Sequence, residues 1–195
     1  MSDVLKERAL KEGVPIIKDE GLAFLLNMIK ENGCKEILEL GTAVAYSAIQ
    51  MALLDKKIHV DTLEKREDLY QEAVRNIAES GLSDQISPFL TAIEDFKTDK
   101  EYDLIFVDAA KAQYGRYLEM FLDNLKSDGI MVFDNMVFHG LIYDPENIRS
   151  RNLRNLVRKI IKFREKVHND ERFDIMKFDN IGDGIFVLTR RNRET

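Results

Sequence analysis

Apolar positions along this chain change their period repeatedly, and the changes divide it into elements. Short apolar or alternating runs at 36–40, 57–63, 86–90, 103–107, 130–133, 173–178 and 184–189 predict seven strands. Between them, apolar residues recur every three to four positions. That spacing predicts helices over 3–12, 19–30, 46–54, 67–79, 112–125 and 148–168, with a short one from 93. Asp19 is placed near the N-cap of the second helix, and Asn32-Gly33 at its end. In the last helix the apolar stripe is Leu153, Leu156, Val157, Ile160, Ile161, Phe163 and Val167. Strands alternating with helices predict an α/β fold with a doubly wound, mainly parallel sheet. The final two runs have no helix between them and predict an antiparallel hairpin at its end. One domain is expected over 1–195.

In such a sheet a ligand lies against the loops at the strand C-termini. The run Glu39-Leu-Gly-Thr-Ala-Val-Ala-Tyr-Ser47 reads as a buried strand turning tightly into a helix, with Gly41 the residue whose missing Cβ allows a close approach. Glu39, Glu64, Asp108 and the pair Asp134-Asn135 all fall at strand ends. An acid at Glu64 suits hydrogen bonds from a ribose diol. A dinucleotide needs Gly-x-Gly-x-x-Gly, whereas this loop runs Gly41-x-Ala43-x-Ala45-Tyr46, so a ligand without a pyrophosphate fits better, S-adenosylmethionine first among them. Asp108, Asp134 and Asn135 form an all-oxygen set that favours Mg²⁺ or Ca²⁺ over zinc or copper. Lys111 follows Asp108 by three residues; beside a metal its cationic form is disfavoured, which suits it to take a proton from a hydroxyl.

Composition narrows the setting. Hydrophobic residues make up 45% and charged residues 33%, an ordinary globular balance. No apolar run reaches the ~20 residues of a membrane span, the first eleven residues lack a signal-peptide pattern, and Cys34 is the only cysteine. A cytoplasmic protein without membrane contact is expected. Charge is unevenly spread. Residues 149–166 hold eight Arg or Lys against Glu165 alone, a net of +7, so a chain of net −6 leaves −13 for the rest.

Asp-Ala-Ala-Lys (108–111) with Asp-Asn (134–135), behind the 39–47 run, resembles the metal-dependent O-methyltransferases of the catechol and caffeoyl-CoA type, over nearly the whole chain. Val14-Pro15-Ile16-Ile17, the 110–114 run and Gly182-Asp183-Gly184-Ile185 resemble more narrowly the small bacterial tRNA 5-hydroxyuridine methyltransferases. The resemblance implies a Rossmann-like seven-stranded fold and S-adenosylmethionine with Mg²⁺ or Mn²⁺ as cofactors. It implies that Asp108, Asp134 and Asn135 hold the metal and that Lys111 is the base. Glu64 would bind the ribose, Gly41 and Ser47 would flank the methionine part beside Asp108, Ile17 would cover it, and Ala92 would lie near adenine. The family usually has glycine at Ala45, and often Gly-Asp at Leu90-Thr91.

A 5-hydroxyuridine and a catechol both offer a hydroxyl beside a second oxygen, so one site could serve either. The basic helix separates them: Arg149, Arg151, Arg154 and Arg158 would suit the phosphates of a tRNA anticodon loop, with Phe138, Tyr143 or Tyr114 stacking on a base and His139 at the mouth. Small catechol-like or CoA-linked phenols are the alternative substrates, and a non-catalytic binding relic of the fold is a third reading. A homodimer is compatible with the polar first helix and the acidic body.

Overall fold

The computed structural model describes residues 2–191. Its elements in order are α1 (Ser2–Lys11), α2 (Asp19–Glu31), β1 (Glu36–Leu40), α3 (Tyr46–Ala52), β2 (His59–Glu64), α4 (Glu67–Glu79), β3 (Ile86–Leu90), β4 (Tyr102–Val107), α5 (Tyr114–Phe121), β5 (Leu125–Phe133), α6 (Arg151–His168), β6 (Phe173–Phe178) and β7 (Ile185–Arg190). Met1 and residues 192–195 of the span expected as one domain lie outside the described residues.

One sheet holds the seven strands in the order β3-β2-β1-β4-β5-β7-β6. The first five are mutually parallel, and β7 runs antiparallel to both β5 and β6. This is the expected doubly wound sheet with its C-terminal hairpin. Strand order reverses between β1 and β4, which opens a crevice above their C-terminal ends. Alternation along each central strand feeds two cores. Ile37, Leu104, Phe106, Ile130 and Val187 face the layer that includes α2, α3 and α4. Leu38, Ile105, Met131, Phe133 and Phe186 face α5 and α6. Among the described residues no helix is long and apolar enough to cross a membrane.

Asp19 lies next to the extended N-cap Lys18, as expected, and opens α2, where its charge suits the macrodipole. Two local expectations are corrected. The helix expected over 112–125 is a 3₁₀ turn at Lys111–Gln113 followed by the two-turn α5. Strand β5 begins at Leu125, earlier than the expected 130, because the Tyr102 N–H donates to the Asn124 carbonyl (2.7 Å) and Leu125 pairs with Tyr102. A register shift between Tyr102 and Leu104 then absorbs the extra residues of β5.

Candidate active site

The crevice above the C-terminal strand ends holds a cavity of about 610 Å³. Of the predicted residues, Ile17, Gly41, Ser47, Glu64, Asp108, Lys111, Asp134 and Asn135 all line it. Ala92 does not, although its neighbours Thr91 and Ile93 do. Lys18 and Lys65 also face the cavity, as do Phe138 and His139.

The loop after β1 is held in an unusual backbone. Ala43 and Ala45 are both left-handed, with φ of 46° and 65°, which costs about 1–2 kcal/mol per non-glycine residue. The glycine usual at position 45 would relieve one of these. Glu64, at the end of β2, fixes part of the loop: its carboxylate accepts the Ala43 N–H (3.0 Å) and the Arg66 N–H (2.9 Å). The carboxylate is thereby oriented with acceptor capacity left over for the cavity.

Gly41 lines the cavity, and the fold also needs it there. Its φ is 110°, and a Cβ there would meet the Asp108 carbonyl oxygen at 2.5 Å. This close approach joins the loop after β1 to the end of β4 and brings Asp108 to the loop. Gly41→Ala is expected to destabilise the protein by about 3 kcal/mol or more, combining backbone strain with a backbone clash. Chemical denaturation checks this, and a loss below ~1 kcal/mol would refute it.

Glu39 is not a crevice residue. It alternates onto the face of Ile37 and is fully buried. The Ser47 hydroxyl donates to one of its oxygens, and the Thr62 hydroxyl donates to the other at 2.5 Å. Burial pushes its carboxyl up from 4.5 to about 7, against those two hydrogen bonds. Folding therefore favours the protonated acid. The stability this contributes is fully present below the ordinary glutamate range and is lost as pH rises to about 7. Glu39→Gln removes that titration. The variant should gain on the parent by about 2–3 kcal/mol between pH 4.5 and 8. Urea unfolding at both ends of that range measures the gap, and a gap that does not widen would count against a buried titrating Glu39.

The second half of the cavity is a cluster of acids with one cation. Lys111 Nζ lies 3.6 Å from Asp108 Oδ1, each side chain about a quarter exposed. Burial raises the Asp108 carboxyl despite this lysine. Asp134 is almost wholly buried and is pushed to about 7, by burial first and then by the Asp108 charge. Its Oδ1 accepts the Asn135 N–H at 2.7 Å. Asn135 has a left-handed φ of 57°, and its Nδ2 donates to Asp183 Oδ2 at 3.3 Å. With the amide so assigned, the Asn135 Oδ1 is left free.

Asp183, to which the sequence gives no role beyond its place in the Gly182-Asp183-Gly184-Ile185 resemblance, belongs to this cluster. It is buried, it accepts the His139 N–H at 2.7 Å, and Lys18 Nζ lies 3.6 Å away. It thus ties the β6–β7 turn to the loop after β5 and to the approach to α2. Gly184 beside it (φ 83°) leaves no room for a Cβ, since Val137 N would lie at 2.6 Å. The local signal available was an acid between two glycines.

The Asp108 and Asp134 carboxyls are both raised although Lys111 stands beside them, and a hard divalent cation on these oxygens and the Asn135 amide oxygen would supply further compensating charge. Among the described residues no three Asp, Glu, His or Cys side chains gather as a metal site by themselves. The candidate set therefore depends on Asn135.

The basic helix is only partly free. Arg154 donates to the Ile148 carbonyl, Arg158 pairs with Glu146 at 2.9 Å, and Lys166 pairs with Glu119 at 2.7 Å. Arg164 binds Asp179 and the Met136 carbonyl, just behind Asn135. Arg149, Arg151, Lys159 and Lys162 are exposed, with no charged partner among the described residues. No residue of α6 lines the cavity. The helix flanks it, packing against the 3₁₀ turns at Lys111–Gln113 and Leu141–Tyr143. Of the aromatic candidates, Tyr114 is in the core, donating its hydroxyl to the Asp134 carbonyl (2.8 Å), and is unavailable for stacking. Phe138 faces the cavity and Tyr143 is exposed.

A family model described as O-methyltransferase matches residues 4–192. The caffeoyl-CoA O-methyltransferase of Populus kitakamiensis is 29% identical over 187 residues, 91% of this chain and 79% of its own length. Caffeoyl-CoA O-methyltransferase 3 of Nicotiana tabacum is 30% identical over 183 residues, 88% of this chain and 74% of its own. The structure of a Staphylococcus aureus protein provisionally called a caffeoyl-CoA O-methyltransferase is similar with a TM-score of 0.93 and 34% identity, over 97% of this chain and 92% of that one. An O-methyltransferase of Bacillus cereus solved with SAH shares the fold, with a TM-score of 0.81 and 24% identity over 97% of this chain and 90% of that one.

Proposed function

The chain belongs to the O-methyltransferase family, and from that premise we propose that it methylates a hydroxyl flanked by a second oxygen, using S-adenosylmethionine and Mg²⁺ or Mn²⁺. The observation that carries this reading is the division of one cavity into two halves. Glu64 and the loop after β1 stand on one side, and Asp108, Lys111, Asp134 and Asn135 on the other. Strands lie ~4.8 Å apart. Glu64 on β2 and Asp108 after β4 are separated by β1, hence by roughly 10 Å. That span would suit a ribose diol at one end and the transferred group at the other.

S-adenosylmethionine, when bound, supplies an electrophilic methyl on sulfur, and it would rest between Glu64, Gly41, Ser47 and Ile17. A divalent cation held by Asp108, Asp134 and Asn135 would supply the Lewis acidity that acidifies a chelating hydroxyl. In its neutral form, Lys111 Nζ would accept the hydroxyl proton and become an ammonium beside the Asp108 carboxylate, 3.6 Å away. Tyr114 and Asp183 fix the backbone of Asp134 and the amide of Asn135 from behind. Ile17 and Phe138 exclude water from the transfer.

The acceptor we favour is 5-hydroxyuridine in a tRNA anticodon loop. Its support is the exposed cationic set of Arg151, Lys159 and Lys162 on the helix that flanks the cavity, with Arg149 just before its N-cap. A CoA-linked phenol is the second reading, favoured by the names of the plant relatives. The test is methyl transfer from labelled S-adenosylmethionine to bulk tRNA from cells lacking this gene and, in parallel, to caffeoyl-CoA. Labelling of tRNA that falls ~10-fold in the double variant Arg149→Ala, Arg151→Ala, and falls less at low salt, is expected. Labelling of caffeoyl-CoA alone would overturn the RNA reading. Silence on both acceptors and no cofactor binding would favour the relic.

A further inference from the structure

The loop after β1 is fastened from outside the cavity by one buried side chain, Asn76 in the last turn of α4. Asn76 is 4% exposed. Its Nδ2 donates to the Val44 carbonyl at 2.9 Å, and its Oδ1 accepts a hydrogen bond from the Arg8 guanidinium of α1. Arg8 is further drawn toward α4 by Glu72, 3.8 Å from its Nε. A buried asparagine in a helix is unfavourable unless both ends of its amide are satisfied. Here they are satisfied by two segments far apart in the chain. Val44 lies between the two left-handed alanines, and such backbone persists only where its surroundings over-determine it. On the cavity side the restraint is the Ala43 N–H on Glu64. On the opposite side it is Asn76.

We propose that Asn76 is a positioning residue for the cofactor loop: together with Arg8 it holds the Val44 carbonyl and couples the docking of α1 to cofactor affinity. This rests on the reading of the cavity as an S-adenosylmethionine site. Helix α1 is otherwise anchored through Leu5 and Ala9, which are buried among the α3 layer, and through Lys6, whose Nζ donates to Asp19 at the start of α2 (2.7 Å). Arg8 is therefore its polar link to the loop. Deforming α1 would release Asn76 from one partner and let the 43–46 backbone relax toward unstrained dihedrals that no longer fit the ligand.

Two variants separate the links. Asn76→Asp keeps the size and the Arg8 contact but removes the donor to Val44. Arg8→Met keeps the Val44 bond and removes the tether to α1. Hydrogen exchange over residues 43–48 reads the loop in the absence of ligand, and calorimetry with S-adenosylhomocysteine reads the cofactor. Asn76→Asp should exchange about 10-fold faster in that segment and bind roughly 5–10-fold more weakly, the worth of one buried hydrogen bond. Arg8→Met should weaken binding by a smaller factor, ~2–4-fold, and it decides the matter if Asn76→Asp does not fold. Unchanged exchange, or faster exchange with wild-type affinity, overturns the coupling while leaving the proposed function intact. Failure of the parent protein to bind S-adenosylhomocysteine sinks the cofactor reading and this inference with it.

Discussion

Asp108→Ala lowers methyl transfer by ~10³-fold or more, yet the variant unfolds at the same temperature as the parent or a higher one. Both halves of this expectation come from the same geometry. The Asp108 carboxyl is raised by burial, and its charge helps push Asp134 to about 7. An ionised pair in that position is a burden on the folded state, relieved only in part by Lys111 at 3.6 Å. Deleting one carboxylate removes the repulsion, so stability does not fall, and the Asp134 carboxyl should come down only in part, since burial remains the larger cause of its raised position. The activity falls because the same pair is the proposed cation site. Chelation of the parent enzyme should reproduce the loss and Mg²⁺ or Mn²⁺ should reverse it, whereas Asp108→Ala should show no rescue. Thermal unfolding and activity measured on one preparation decide the point. A variant that is both active and less stable would make Asp108 an ordinary structural acid.

Much of the frame of this site is legible without coordinates, because it depends on local pattern. The strands at 36–40, 86–90 and 173–178 and the helix at 67–79 coincide with β1, β3, β6 and α4, since each is bounded by polar or turn residues and keeps one period throughout. Parallel topology then follows from the alternation of elements, and it carries Glu64, Asp108 and Asp134-Asn135 to one edge. What was not legible depends on contacts between distant segments. The apolar residues 121–125 continue a helical pattern, and only the pairing of Leu125 with Tyr102 turns them into strand. Glu39 reads as a crevice acid from its place at a strand end, but strict alternation puts it with Ile37, where Ser47 and Thr62 bury it. Asp183 has no periodic signal at all. Its partners Lys18, Asn135 and His139 come from two other segments of the chain. The free and engaged arginines of α6 are likewise indistinguishable in sequence, since Glu146 and the Ile148 carbonyl select them only once the loop before the helix is folded.

Lys111→Met should lower kcat by ~10²–10⁴-fold, the usual range for removal of a general base, while cofactor affinity stays within about twofold. The lysine sits on the 3₁₀ turn Lys111–Gln113, and Gln113 and Tyr114 carry the chain straight into α5, so the backbone at this point is fixed by the Tyr114 core and not by the lysine itself. Its Nζ lies 3.6 Å from Asp108 Oδ1, with the side chain about a fifth exposed at the cavity wall. Methionine keeps the aliphatic stem and removes only the proton-accepting end, so the side chain packs as before. Two structural consequences sharpen the test. Asp108 loses its one close cation, so the acid pair becomes a stronger site for a divalent ion, and metal affinity should rise while turnover falls. Glu64 stands two strands away on β2, and the Ala43 N–H of the loop after β1 is held by Glu64 and not by Lys111. A proportionate loss in KM for S-adenosylmethionine, with kcat preserved, would place Lys111 in cofactor binding and leave the proton without an acceptor in this cavity.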